Sequence, residues 1–380
     1  MNIAIIGAGI GGLTTALFLE KLGVPVQIFE QSSVIKPIGA GIILAHNAMQ
    51  VFDELGLKES ITNLGNPLTS INITTEKLEI IKKIDTQHFD KKFDANSVAI
   101  QRGVLQEFLI NKLQTNCLHL NKKVIDFKMG IKNEVVFSDG DERTFDIVIA
   151  ADGIHSIIRN KAFSKSIIRN PNQTCWRGIS NTMLPMKFHT ELNEMWGEGS
   201  RFGFVKISRD EVYWYALHSS HKRLEKSDLL AHFEDYDPIV SNVISKTELD
   251  KMFQSEILDL KPIPSWFKNN VCLLGDAAHA TTPNMGQGAC QAIEDAHIIS
   301  HYISKYDPAI AFSKYESLRK AKADMIVDMS WRLGSISQIQ NPFFRAFRNF
   351  AIRAIPRKYN IKQSEKIYQL AELYNNSSKT

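Results

Sequence analysis

Residues Gly7-Ala8-Gly9-Ile10-Gly11-Gly12 lie between a short apolar run, Asn2–Ile6, and a helical pattern, Gly11–Leu22. Four glycines in six positions leave few architectures open. Gly7 permits a tight turn from strand to helix, and Gly9 lets the backbone approach a ligand. Gly12 lets helix and strand pack with no Cβ between them. The helix stops at Gly23, and Val24–Glu30 alternates as a second strand. The unit is therefore β-α-β, with its two strands parallel and adjacent. Glu30 closes the second strand 23 positions after Gly7. A carboxylate there accepts hydrogen bonds from a ribose, while the helix N-terminus faces a pyrophosphate. The pattern predicts a dinucleotide site and leaves NAD and FAD both open.

The first 19 residues carry no charge, a feature shared with signal peptides and membrane helices. The basic n-region of a signal peptide is missing, and the glycines weaken a membrane helix. No other long apolar run follows, so the expectation is a soluble, cytoplasmic protein without an integral membrane span. The chain has 45 Lys and Arg against 41 Asp and Glu, a balance of +4 spread along its length, which argues against nucleic-acid binding. Its four cysteines (Cys117, Cys175, Cys272 and Cys290) form no CxxC pair and no zinc spacing, so neither a disulfide scaffold nor a metal site is expected.

Two further strand signals, Phe145–Ala150 and Val271–Leu274, each run into an Asp/Gly pair, and a helical pattern follows over Gly288–Ser304. Between them, Pro67–Ile84 and Trp176–His218 alternate β-branched and aromatic residues. That pattern predicts antiparallel strands with one solvated face. After Pro308 the pattern is mostly helical, and Asn375–Thr380 is expected to fray.

The pairs themselves sit in longer motifs. Ala150-Ala-Asp152-Gly153-Ile-His-Ser156-Ile-Ile-Arg159 resembles the DG motif. Gly275-Asp276-Ala-Ala-His279-Ala-Thr-Thr-Pro283-Asn-Met-Gly286-Gln287-Gly288-Ala289-Cys-Gln-Ala-Ile-Glu294-Asp295 resembles the GD motif. With the N-terminal glycines, in this order, the chain resembles the single-component flavoprotein monooxygenases, the aromatic hydroxylases of the para-hydroxybenzoate hydroxylase fold. It is most similar to urate hydroxylases, salicylate hydroxylases and zeaxanthin epoxidases. The stretch Glu30–Ile43, with Gly39 and Gly41, matches the segment that runs from ribose-binding acid to flavin ring in those proteins. Gly197-Glu-Gly-Ser-Arg201 and Tyr213 resemble a substrate segment of the urate hydroxylases.

The resemblance implies an α/β fold: a Rossmann-like FAD-binding domain over residues 1–66, 97–175 and 266–330, interrupted by a β-sheet substrate domain over 67–96 and 176–265, with a C-terminal helical segment at 331–380. It implies bound FAD held by Gly7, Gly9, Gly11, Gly12, Glu30, Gln31, Ile43, Arg102, Val124, Asp152, Asp276, Pro283, Gly286, Gln287, Gly288 and Ala289. Asp276, at a strand end, would accept from a ribityl hydroxyl. Gly286-Gln287-Gly288 would present backbone N–H groups to the flavin edge where negative charge gathers. Arg102 would reach the phosphate and ribityl region, and the Val124 backbone would meet adenine. Asp152 is open to a second reading as the cap of the following turn.

The implied reaction is hydroxylation or epoxidation of a small aromatic, heteroaromatic or polyene substrate through a flavin C4a-hydroperoxide, with NADH or NADPH as transient reductant and O2 as oxidant. No catalytic side chain is certain. His279 reads better as packing than as a base. Arg201 would anchor an anionic substrate with Tyr213 beside it; the alternatives are an exposed sheet cation and a core aromatic. Trp176, Trp214 and Tyr215 are further pocket candidates, or sheet core. A flavin-bound carrier without turnover is the competing function, and the assembly is a monomer or homodimer. Finally, Phe343–Lys358 patterns as a basic amphipathic helix. It is expected to cover the FAD domain with its arginines solvated, and peripheral contact with an anionic membrane is the alternative.

Overall fold

The computed structural model describes residues 1–35, 40–114, 116–219 and 225–373. Gly39 and Asn375–Thr380 lie outside them.

Strand Ile3–Ile6 is buried along its whole length because it is central in a six-stranded sheet. Strands Val26–Phe29 and Ile147–Ala150 flank it in parallel. Beyond them lie Leu118–His119 on one side and Val271–Leu273 on the other, also parallel. An antiparallel edge strand, Phe267–Lys268, closes the sheet. The run Phe145–Ala150 divides into two strands, Glu142–Phe145 in a three-stranded antiparallel sheet and Ile147–Ala150 in the main one. Asp146 sits at the break, and its carboxylate accepts the Asn2 N–H at 2.7 Å.

Helix Ile10–Lys21 returns across this sheet and packs against helix Gly288–Ile303. Two glycines set that distance. A Cβ on Gly11 would stand 2.8 Å from Leu274 Cδ2, and one on Gly12 would stand 2.1 Å from the Gly7 carbonyl oxygen. The sequence repeat thus encodes the helix–sheet spacing.

The second large sheet has seven strands, in the order Met252–Glu256, Thr174–Ser180, Val212–His218, Ser200–Lys206, Glu191–Trp196, Ser70–Thr74, Ile80–Asp85. It departs from the expectation twice. Glu191–Trp196 and Ser70–Thr74 pair in parallel, because they arrive from separate parts of the chain rather than through a hairpin. The middle strands are also buried on both faces. One face packs on helices Lys226–His232 and Pro238–Ser245 through Trp176, Phe202, Trp214, Leu229 and Val240. The opposite face carries Arg177, Glu194, Arg201, Tyr213 and Tyr215, as the register Arg177–Tyr215–Gly203–Glu194 requires.

A long helix, Pro308–Ser337, brings Arg319 to helix Gly288–Ile303. Its guanidinium is fully buried and donates to Glu294 Oε2 at 2.6 Å and Asp295 Oδ1 at 2.9 Å. Asp295 in turn bonds His279 and the Gly275 N–H at 3.1 Å. Its pKa is held at about 2: burial would raise it, but His279 and Arg319 together lower it further.

Helix Pro342–Ala354 contradicts its expected orientation. Arg345 turns inward to Glu76 and Glu198, and Arg348 is buried over the Trp196 ring, while four phenylalanines face outward. The helix packs against Ile80–Asp85, the edge strand of the seven-stranded sheet. No helix among the described residues is long and apolar enough to cross a membrane.

Candidate cofactor and substrate site

The glycine turn opens the site. Gly7 has φ +106°, and a Cβ there would strike the Ala151 carbonyl, so alanine fits neither the conformation nor the space. A Cβ on Gly9 would meet nothing within 4 Å, which leaves a cradle open to a ligand. Helix Ile10–Lys21 has no side-chain cap and no acid in its first turn, so its positive end faces outward unneutralised. Glu30 stands beside it. Its carboxylate accepts the Ala8 and Ser32 N–H groups, both at 2.9 Å, which fixes it at the mouth of the turn. Gln31 is exposed next to it, and Val124 is buried at the start of its strand.

The second wall is the segment after strand Val271–Leu273. Asp276 does not end that strand. Gly275, at φ +59°, turns the chain, and Asp276 begins a short helix, Asp276–His279. The Asp276 carboxylate is open to the cleft and has no hydrogen-bond partner among the described residues. Crowding by protein on its other sides raises its pKa, while His279 and Arg102 pull the other way. Arg102 begins helix Arg102–Ile110 with its side chain exposed. A Cβ on Gly288 would lie 4.0 Å from Asp276 Oδ1, so acid and helix start adjoin. That helix, Gly288–Ile303, also lacks a side-chain cap and a first-turn acid. Gly286 takes φ +62° to make the turn, and Pro283 and Ala289 flank it. The Gln287 side chain points away into the core, accepting from Asn47 at 3.1 Å and Gln291 at 2.9 Å, so only its backbone serves the cleft.

The third wall is the DG turn. Asp152 Oδ2 accepts the Ile157 N–H at 2.9 Å, which is the capping role, whereas its Oδ1 is buried with no partner. Arg159 is 1% exposed. It donates to the Ala277 carbonyl at 2.9 Å and to the Ile154 carbonyl, tying the DG and GD turns together. Between these turns and Ser255 and Glu256 of the seven-stranded sheet lies a cleft of about 410 Å³, with Ile154, His155 and Thr281 in its lining.

The polar face of the seven-stranded sheet meets this region. The Tyr213 ring packs on Gly41, where a Cβ would stand 2.4 Å from the ring. Ile43 lies in the same apolar contact. Burial raises the Tyr213 pKa, against the pull of Arg177. Arg201 is 1% exposed, not a solvated sheet cation. Its guanidinium donates to Glu194 at 3.2 Å and to Asn284 Oδ1 at 2.6 Å, and its Nε is buried without a partner. Arg201 and Tyr213 are on neighbouring strands, but Arg201 pairs with Leu217 and Tyr213 with Val205. That offset of four residues is about 13 Å along the strand. Tyr215 is the tyrosine that joins Arg201, through Glu194. Burial, then the Glu194 charge, pushes the Tyr215 pKa well above its usual value, so the hydroxyl stays protonated. Trp176 and Trp214 belong to the far face and its core. Glu194 and Arg177 escaped the sequence reading because only strand register reveals them, and Asn284 because only its contact with Arg201 does.

Two uncapped helix starts, the partnerless Asp276 carboxylate beside the second of them and the partnerless Asp152 Oδ1 fit a phosphate-bearing, hydroxyl-rich dinucleotide. Comparison with known proteins decides which one. Residues 1–328 match the family described as FAD binding domain. The chain belongs to this FAD-binding family of flavoprotein monooxygenases. It is 31% identical to the aurachin C monooxygenase/isomerase of Stigmatella aurantiaca, over 90% of this chain and 91% of that one. It is 30% identical to the 2-heptyl-3-hydroxy-4(1H)-quinolone synthase of Pseudomonas aeruginosa strain UCBPP-PA14, over 97% and 98% of the two chains. Its fold matches HpxO of Klebsiella pneumoniae, solved with FAD and uric acid, at a TM-score of 0.90 and 24% identity, over 98% of each chain. The chain is an FAD-dependent oxidoreductase.

Replacing Asp276 with Ala in this flavoprotein is expected to weaken FAD retention roughly 5- to 150-fold, through loss of a hydrogen bond worth about 1–3 kcal/mol. Equilibrium titration of apoprotein with FAD measures it, and unchanged affinity would remove Asp276 from the site.

Proposed function

We propose that this chain uses NAD(P)H and O2 to place one oxygen atom on a small nitrogen heteroaromatic, the other oxygen leaving as water. The single observation that carries the reading is the cleft. It adjoins the sheet face that carries Arg177, Glu194, Arg201, Tyr213 and Tyr215, since Arg177 donates at 2.5 Å to the hydroxyl of Ser255, one of its lining residues. Two relatives at about 30% identity support the chemistry by name, a monooxygenase and a synthase of a hydroxyquinolone.

In this reading Gly9 and the first turn of helix Ile10–Lys21 hold the pyrophosphate, and Glu30 holds the adenosine ribose beside Gln31 and Val124. Asp276 takes a ribityl hydroxyl, with Arg102 near. The N–H groups of Gly286–Ala289 face the flavin carbonyl edge, with Pro283 stiffening the approach and Gly41 and Ile43 against the ring. FAD supplies electron transfer from NAD(P)H and activation of O2. The side chains supply the rest. The buried sheet face would exclude water from the reacting centre. Tyr213 lies across Gly41 as a packed wall. Arg201, already shared between Glu194 and Asn284, keeps Nε free for an acceptor on the substrate edge. Glu194 accepts from Tyr215 and orients that hydroxyl.

The test is a panel of 4-quinolones, purines and hydroxybenzoates. One class should accelerate NAD(P)H oxidation and yield an oxygenated product. A flavin-bound carrier would give neither. With that substrate, Arg201→Ala is expected to raise KM about tenfold or more, for a charge-assisted bond of roughly 1.5–3 kcal/mol, and to divert reducing equivalents to hydrogen peroxide. Bound FAD should stay, since Asn284 keeps its bonds to Thr282 and Ser330. Arg201→Lys should recover little, because an ammonium lacks the planar fork. Equal KM and coupling in all three proteins would take Arg201 out of substrate binding.

A further inference from the structure

Helix Pro342–Ala354 turns its apolar side to solvent. Phe343, Phe344, Phe347 and Phe350 are 73%, 56%, 64% and 68% exposed. Spacings of four and three residues set Phe343, Phe347 and Phe350 on one stripe, with Ala351 and Ala354 exposed beyond them. Aromatic side chains gain most from burial, so an uncovered row of them marks an interaction surface. Nothing in the fold strains to hide it. The opposite side of the helix is anchored by Arg345 to Glu76 and Glu198, by Arg348 to the Ser337 carbonyl at 3.0 Å, and by Lys82 to the Ile355 carbonyl at 2.7 Å.

Charge selects the occupant. From Asn341 to Gln363 the chain carries six basic residues and no acidic one. Arg353 and, on the next helix, Lys358 are exposed, whereas Arg357, 74% exposed, pairs with Asp85 at 3.2 Å. Self-association through this face about a two-fold axis would set these cations against their own copies. An anionic bilayer complements both features, taking the aromatic rings at the headgroup boundary and the cations at the phosphates. A helix of 13 residues is about 20 Å long, enough to lie in an interface and too short to span one.

We infer that helix Pro342–Ala354 docks the protein on anionic membrane surfaces. Its inner side touches the substrate sheet, with Arg348 over Trp196, the residue that pairs with Arg201. Docking therefore brings the lipid boundary next to the sheet that carries Arg201. The inference does not rest on the oxygenation chemistry.

The experiment is cosedimentation of the FAD-loaded, full-length protein with vesicles of phosphatidylcholine alone or mixed equally with phosphatidylglycerol. Sedimentation velocity without lipid reports the assembly. Wild type should bind the anionic vesicles and lose binding between about 0.1 M and 1 M salt. Phe347→Asp with Phe350→Asp should lower partitioning on the order of tenfold or more. Arg353→Glu with Lys358→Glu should abolish the preference for the anionic lipid. These side chains are exposed, so bound FAD and far-UV circular dichroism should match wild type in both variants. Absence of wild-type binding to the anionic vesicles, or equal binding by the Phe347/Phe350 variant, would overturn the inference. A lipid-indifferent dimer broken by the phenylalanine substitutions would overturn it too, and would assign the stripe to a second copy.

Discussion

Arg319→Met is expected to destabilise the protein by about 3–5 kcal/mol, because it leaves two buried carboxylates without their cation. Arg319, Glu294 and Asp295 are all 1% exposed or less. Lys322 reaches Glu294 at 2.8 Å and gives it partial relief, whereas Asp295 keeps His279 and the Gly275 N–H but no permanent cation. The pH dependence is specific. In wild type the folded pKa of Asp295, about 2, lies below the ordinary aspartate value of 3.8. Its stabilisation is therefore complete above the unfolded pKa and disappears as pH falls through the folded one. In the variant that pKa returns upward. The deficit at pH 7 should then shrink as the orphaned Asp295 carboxyl protonates on the way to about pH 4. Urea denaturation of both proteins across this range measures it. A deficit that does not change with pH would mean that lost packing, not orphaned charge, is responsible.

Gly12→Ala is expected to abolish FAD retention and to lower stability by about 3 kcal/mol or more. The added Cβ would stand 2.1 Å from the Gly7 carbonyl oxygen, a backbone atom that cannot rotate away. The helix must lift from the sheet, which moves its uncapped N-terminus off the pyrophosphate position. Gly9→Ala makes the internal control. Its Cβ meets no protein atom within 4 Å, so the apoprotein should remain as stable as wild type while FAD binding falls. Flavin absorbance after gel filtration, set beside thermal unfolding of the apoproteins, separates the two effects. Equal loss of stability in both variants would contradict the division of labour between these glycines.

The contrast explains what could be read from sequence. The need for glycine at 7, 9 and 12 is local: each answers to a turn, a ligand or a neighbour a few residues away. The same holds for Gly286 and for the uncapped start of helix Gly288–Ile303. The substrate face is otherwise. Whether Arg201 meets Tyr213 or Tyr215 depends on the register of two strands, and on Glu194 arriving from a third. A two-residue difference in position along the strand decides the partner, and composition carries no trace of it. The parallel pairing of Ser70–Thr74 with Glu191–Trp196 is similarly non-local. The C-terminal helix shows the same limit. Its amphipathic pattern defined two faces, but the inward turn of the arginines follows from Glu76 and Glu198, more than 140 residues distant. His279 and its partner Asp295 stand in the same motif, but their hydrogen bond appears only once helix Gly288–Ile303 is in place.

The most direct test of monooxygenation is the fate of isotopically labelled O2. The FAD-loaded protein is incubated with NAD(P)H and the heteroaromatic that best accelerates its oxidation, in unlabelled water, and the product is weighed by mass spectrometry. One labelled oxygen atom per product molecule is expected, with one NAD(P)H consumed for each. Product oxygen drawn from water, or product formed without consumption of NAD(P)H, would contradict it.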